Sequence, residues 1–103
     1  GSAGGSRIIA IVFGTLINVV DHGMNLQEAV NAPRLHHQWL PDRIQYEALR
    51  FSPDTLAGLA ARGHSLAPVP DLGCAQVILY RRDEKILEGG SDTRRRDGGV
   101  AVY

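Results

Sequence analysis

The apolar positions between Ile8 and Val20 fall on every side of a helix instead of along one stripe. That pattern predicts a helix packed between layers. Seven of these residues, Ile8, Ile9, Ile11, Val12, Ile17, Val19 and Val20, are β-branched and would also suit a buried strand. A run of about fourteen residues without alternation or a turn signal favours the helix. Ser6 is placed to cap it from Arg7 onward, and Asp21-His22-Gly23 ends it, with Gly23 free to take the left-handed conformation after the last turn.

Beyond this helix the pattern shortens. Asn25-Leu26-Gln27-Glu28 has the spacing of a capping box, and Pro33 disfavours helix at Ala32, so the second helix spans barely two turns. Leu35 to Trp39, a Leu40-Pro41-Asp42 turn, and the alternation Ile44, Tyr46, Ala48 predict two strands joined by a tight loop. Ser52-Pro53-Asp54 is a helix start: serine caps, proline occupies the first turn, and aspartate favours the positive end. Leu56, Leu59 and Ala60 form its apolar stripe and Gly63 closes it. Ser65 to Val69 predicts a strand and Pro70 to Gly73 a loop. Ala75 to Arg81 and Ile86 to Glu88 then form a hairpin around Asp83-Glu84. The closing apolar residues, Val100 to Tyr103, suit an edge strand.

Composition narrows the classes. A chain of 103 residues with 44% hydrophobic content fits one modest domain, or part of one, with no internal repeat or linker. Eleven basic and eleven acidic residues cancel, which removes the electrostatic footprint of a nucleic-acid binder. The clusters Arg81-Arg82 and Arg94-Arg95-Arg96 are flanked by Asp83, Glu84, Asp92 and Asp97, so they predict solvated or ion-paired surface. Cys74 is the single cysteine, which excludes an intrachain disulfide and a multi-cysteine metal site, and its apolar flank predicts a small buried residue. The Ile8 to Val20 run is too short to span a bilayer, and no signal peptide is visible.

The candidate chemistry sits at the start. Gly1-Ser2-Ala3-Gly4-Gly5-Ser6-Arg7 runs directly into the first helix, and a glycine-rich loop at a helix N-terminus presents unpaired N–H groups and the positive end of a dipole to an anion. The same composition fits a flexible leader, and the loop alone does not choose. No Gly-Lys-Ser/Thr follows, which argues against a Walker-type cradle, and the spacing supplies no dinucleotide fingerprint. His36 and His37 are adjacent on a predicted strand and point to opposite faces, so they do not chelate one metal. His22 and His64 have no ligand partner at useful spacing. No metal or other cofactor is expected.

Larger stretches carry a resemblance. Gly1 to Ile9, Asn25 to Val30, and the run Asn31-Ala32-Pro33-Arg34-Leu35-His36-His37-Gln38-Trp39-Leu40-Pro41-Asp42 closely resemble the C-terminal part of the small subunit of γ-glutamyltransferase, also called glutathione hydrolase. Phe51 to Leu56, Gly63-His64, Ala75-Gln76 and Gly90-Ser91-Asp92 recur in the same order, so the resemblance covers essentially the whole chain. Two departures stand out: Ala3 replaces the proline usual in bacterial members, and Val102-Tyr103 replaces a Gly-Tyr ending.

The resemblance implies an α+β fold, the C-terminal portion of an N-terminal-nucleophile hydrolase αββα sandwich, mostly antiparallel with about three helices. It implies a threonine nucleophile whose own amine acts as base, and an acyl-enzyme from which water, an amino acid or a peptide takes the γ-glutamyl group. The backbone N–H groups of Gly4 and Gly5 would hold the oxyanion. By the same resemblance the nucleophile and the residues that grip the substrate's carboxylate and amine lie upstream of Gly1, and Thr15, Thr55 and Thr93 do not match the nucleophile's motif. The expected partners are therefore the remaining chain or large subunit and glutathione or another γ-glutamyl compound; the chain alone is expected to be inactive. The alternative is a non-catalytic relic or partner-completing module of the same fold. A periplasmic or secreted location follows from the resemblance alone.

Overall fold

The computed structural model describes residues 1–102. Backbone contacts divide them into two compact units, one made of Gly1–Ala32 with the chain from Gly73 on, the other of Pro33–Leu72. The described residues form three α-helices and six short strands in an α+β arrangement, with three antiparallel strand pairings and one parallel.

The first unit carries a three-stranded sheet in the order β1 (Ser2–Ala3), β5 (Cys74–Arg81), β6 (Ile86–Ser91). The β5–β6 hairpin expected from the Asp83-Glu84 turn is present, with Arg81 paired to Ile86 and Gln76 to Ser91. Strand β6 runs further than its apolar residues suggested, through Gly89 and Gly90. Gly90 earns that place because a side-chain carbon there would lie 3.2 Å from Leu26 Cγ and 3.3 Å from Val30 Cγ2. Helix α2 (Leu26–Asn31) thus packs directly on the strand. Its capping box is formed: Asn25 Oδ1 accepts from Glu28 N–H at 2.9 Å and Asn25 N–H donates to Glu28 Oε2 at 3.3 Å.

Helix α1 (Ile8–Val20) follows the pattern in length and differs in surroundings. Only Ile11 and Thr15 are buried, whereas Ile9, Phe13, Leu16 and Val20 are more than half exposed. All-round apolarity specifies what the helix can be buried against, and this chain covers one side of it. The capping role of Ser6 is also corrected. Gly5–Arg7 forms a 3-10 turn that feeds straight into α1, so the residue at the cap is Arg7, already helical in backbone and making no side-chain cap bond. Gly23 ends the helix at φ +64 as expected. The core of the unit is Ile11, Val30 and Ala75 with Val77 against them. The expected terminal edge strand does not form over Val100–Val102; Tyr103 lies outside the described residues.

In the second unit β2 (Leu35–His36) pairs antiparallel with β3 (Ile44–Glu47), and β3 pairs in parallel with β4 (Leu66–Val69) across α3 (Pro53–Ala61). Strand β2 is shorter than expected. Its extension is taken up by a loop in which His37 Nε2 meets Asp42 Oδ1 at 3.0 Å, Trp39 N–H donates to His37 Nδ1, and Trp39 takes φ +71. Helix α3 starts as read, with Ser52 Oγ accepting from Thr55 N–H and Pro53 in the first turn. At the heart of this unit the Glu47 carboxylate, fully buried, accepts from Arg34 N–H and Leu72 N–H, each at 3.0 Å.

Candidate functional site

Both sequence-predicted site residues lie where β1 passes into α1. Gly1 and Gln76 exchange two backbone bonds of 2.8 Å, and the pairing continues through Ser2 with Ala75 and Ala3 with Cys74. It stops at Gly4. There the backbone takes φ +147, then φ +58 at Gly5, both outside the range an L side chain tolerates easily. The first internal bond of the turn runs from Arg7 N–H to Gly4 O at 3.1 Å. The N–H groups of Gly4 and Gly5 therefore precede the first internally bonded donor, Arg7 N–H, and lie at the positive end of the α1 dipole. No acidic side chain stands in the first turn of either the 3-10 segment or α1, and Arg7 adds a positive charge.

The two glycines differ in their surroundings. A side-chain carbon on Gly4 would sit 3.1 Å from Ile11 Cδ1 and 3.6 Å from Gly73 Cα, whereas one on Gly5 would meet nothing within 4 Å. Gly4 is a packed position and Gly5 an open one.

Three features under this loop escaped the sequence reading. Gly73 takes φ +71, and a side-chain carbon there would strike the Ala3 carbonyl oxygen and Ile11 Cδ1. Asp92, 1% exposed, accepts from Ala75 N–H through Oδ2 at 2.8 Å, and its own N–H donates to Ala75 O at 3.1 Å. Arg94 donates to Asp92 Oδ1 at 3.1 Å and to the carbonyls of Val30 and Ala32 at 3.1 and 2.8 Å. Its side chain is fully buried, which corrects the expectation of a surface arginine cluster. No local signal marked Asp92 or Arg94, since Asp92 meets Ala75 in β5 and Arg94 meets carbonyls more than sixty residues away at the C-terminal end of α2. Arg81 behaves as expected, bonded to Glu88 on the surface.

Cys74 is half-buried instead of buried, on the wall of an open cleft of about 590 Å³ shared with Ser2, Gln76, Arg95 and Asp97. A second, apolar cleft of about 220 Å³ runs between α1 and β5, lined by Val12, Leu16, Val19, Val77 and Leu79. The threonines are structural: Thr15 Oγ1 donates to Ile11 O, Thr55 bonds the α3 cap Ser52 through its N–H and its hydroxyl, and Thr93 Oγ1 donates to Asn31 Oδ1. His36 and His37 do point apart, one buried and one exposed. Among the described residues no cluster of three metal-ligating side chains occurs, and no helix is long and apolar enough to cross a membrane.

Three helices on antiparallel and mixed three-stranded sheets, an α+β arrangement, are those of part of an N-terminal-nucleophile hydrolase. The family model for gamma-glutamyltranspeptidase matches residues 1–103, and the chain belongs to that family. It is 48% identical over 103 residues to the glutathione hydrolase proenzyme of Escherichia coli strain K12, covering all of this chain and 17% of that protein. Against the glutathione hydrolase proenzyme of Pseudomonas sp. strain A14 the identity is 46% over 111 residues, covering all of this chain and 19% of the other. The crystal structure of gamma-glutamyltranspeptidase from Pseudomonas nitroreducens complexed with L-DON superposes with a TM-score of 0.89 at 39% identity, covering all of this chain and 54% of that one. The chain thus spans under a fifth of the length of these two curated relatives.

Proposed function

We propose that this chain is the oxyanion-binding part of a γ-glutamyltransferase that cleaves γ-glutamyl amide bonds and passes the γ-glutamyl group to water, amino acids or peptides. The observation that carries this reading is the backbone at Gly4 and Gly5: two successive N–H donors ahead of the first internally bonded N–H, that of Arg7, at an uncountered helix N-terminus. Such donors act where negative charge develops on the carbonyl oxygen under attack, and they need no reorganisation when it does.

The chemistry needs more than this chain in the proposal. The nucleophile and the groups that read the substrate's α-amino and α-carboxylate ends come from the remainder of the family's length. The uncovered apolar side of α1 supports a partner of that kind, because Phe13 and Leu16 are 62% and 56% exposed. Glutathione or another γ-glutamyl compound is the proposed substrate, and a periplasmic or secreted location is proposed from the family resemblance.

The test is release of a chromogenic amine from a γ-glutamyl anilide. The chain alone should give no turnover, and the chain expressed together with the remaining family length should give turnover that Gly4→Ala lowers in kcat more than in KM. Turnover by the chain alone would overturn its assignment as part of a site. Unchanged kcat in Gly4→Ala would overturn the oxyanion role.

A further inference from the structure

We propose that Gly73 and Asp92 are positioning residues for the Gly4–Gly5 donors, acting through β5 without touching the reacting atoms. The proposal rests on the oxyanion reading of those two glycines. It starts from a property of the peptide unit: the carbonyl of Ala3 and the N–H of Gly4 are the two ends of one rigid trans plane. Whatever fixes the Ala3 oxygen fixes the direction in which the Gly4 N–H points.

Gly73 fixes it by having no side chain. At φ +71 the Gly73 Cα faces the Ala3 carbonyl so closely that a side-chain carbon would overlap that oxygen, and it would also overlap Ile11 Cδ1. Any residue larger than glycine forces the Ala3 carbonyl and the backbone at 73 apart. Rotation of that plane carries the Gly4 N–H with it.

Asp92 holds Gly73 in place from the other side of the strand. In the antiparallel pairing, Gly1 and Gln76 bond across the β1–β5 gap, so Ala75 turns its N–H and C=O away from β1. Both are met by Asp92, the N–H by its Oδ2 at 2.8 Å and the carbonyl by its own N–H at 3.1 Å. The other carboxylate oxygen is held by Arg94 N–H at 3.0 Å and Arg94 Nη1 at 3.1 Å, so the side chain has no freedom to swing. Strand β5 is therefore clamped two residues beyond Gly73, between β1 and a buried carboxylate.

The experiment uses the chain together with the remaining family length and compares Gly73→Ala, Asp92→Asn and Gly4→Ala. Asp92→Asn keeps size and one acceptor oxygen, and serves if Gly73→Ala does not fold. Steady-state kinetics on a γ-glutamyl anilide are normalised to active sites counted by a covalent γ-glutamyl-site label, and deuterium uptake is followed in the peptide spanning residues 1–7. The expected result is kcat per active site about ten- to a hundredfold lower in Asp92→Asn, the scale on which a displaced catalytic group fails, with KM within about twofold. Uptake at Gly4 and Gly5 should be faster. A residue that only holds the fold together would lower the count of active sites and leave kcat per site unchanged, which overturns the proposal. So does unchanged loop uptake. If Gly4→Ala alone leaves kcat intact while Asp92→Asn still accelerates loop uptake, the oxyanion role falls and the positioning of the loop stands.

Discussion

Asp92 and Arg94, two residues apart in the chain, form an ion pair with both side chains fully buried, Nη1 lying 3.1 Å from Oδ1. Around it the Arg94 guanidinium closes onto the carbonyls of Val30 and Ala32 at the C-terminal end of α2, and the carboxylate closes onto Ala75. Truncating one member leaves the other charged and dry. Arg94→Ala is expected to destabilise the chain's fold by about 3–5 kcal/mol, read as a shift in denaturant midpoint. Removing Asp92 and Arg94 together should cost less than the sum of the two single changes, and strict additivity would show that the pair is not coupled.

Glu47 sits in the second unit with no exposed surface and takes two backbone N–H groups, from Arg34 and Leu72, on its two oxygens. Glu47→Gln replaces one acceptor by an amide NH₂ that must face a donor. A loss of about 1–3 kcal/mol in chemical unfolding is expected from the orphaned N–H. No change would mean that Leu72 or Arg34 finds another acceptor.

Two caps can be removed cleanly. Asn25→Ala loses the side-chain half of the α2 capping box, the acceptor for Glu28 N–H, and Ser52→Ala loses the bond to Thr55 N–H at the start of α3. Each should cost about 1 kcal/mol, measured by thermal melts followed by circular dichroism.

The two loop glycines should not respond alike. Gly5 has open space around it and φ +58, where an asparagine is tolerated; Gly4 has φ +147 and Ile11 Cδ1 at 3.1 Å from a side-chain carbon. Gly5→Asn should therefore fold with near-native stability, whereas Gly4→Ala both strains the loop and pushes on Ile11. In the γ-glutamyl anilide assay Gly4→Ala should show the larger fall in kcat, up to about a hundredfold if the donor is lost. Ile11→Val, which deletes the crowding Cδ1, should restore part of the stability of Gly4→Ala.

Arg81 offers a contrast to Arg94. Its guanidinium is held above its ordinary value, chiefly by the hydrogen bond to Glu88 and then by that carboxylate's charge. A cation raised in this way contributes its stability at every pH below its unfolded value and loses it only as pH climbs through the raised one, far above neutrality. Arg81→Gln should leave the pH dependence of stability around neutral pH unchanged. A titration in the neutral range that vanishes in this variant would contradict the assignment.

Much of the fold was legible because its signals are local. The capping box at Asn25, the Ser52-Pro53 start of α3, the left-handed Gly23 and the hairpin at Asp83-Glu84 each depend on neighbours within a few residues, and each appears where the residues place it. What was not legible depends on distant partners. Nothing near Arg94 distinguishes it from Arg95 and Arg96; it is the carbonyls of Val30 and Ala32, in another element, that draw it inside. Gly73 reads as an ordinary loop glycine until Ala3 and Ile11 arrive beside it. The parallel pairing of β3 with β4 escaped for the same reason, since strand direction is set by the α3 crossover and not by the strands' own residues. Of the candidate site, the glycine loop, its helix and the β5–β6 hairpin were visible, and the packing of Gly73 and Asp92 beneath the loop was not.

Trp39 brings an optical consequence. It is the only tryptophan in the chain and is 76% exposed in the loop between β2 and β3. Its emission in the folded chain should already resemble that of the unfolded one, so intrinsic fluorescence will under-report melting. The same property makes it a built-in reporter of a different event: a blue shift on mixing would signal that something has settled on residues 37–43, with no label attached.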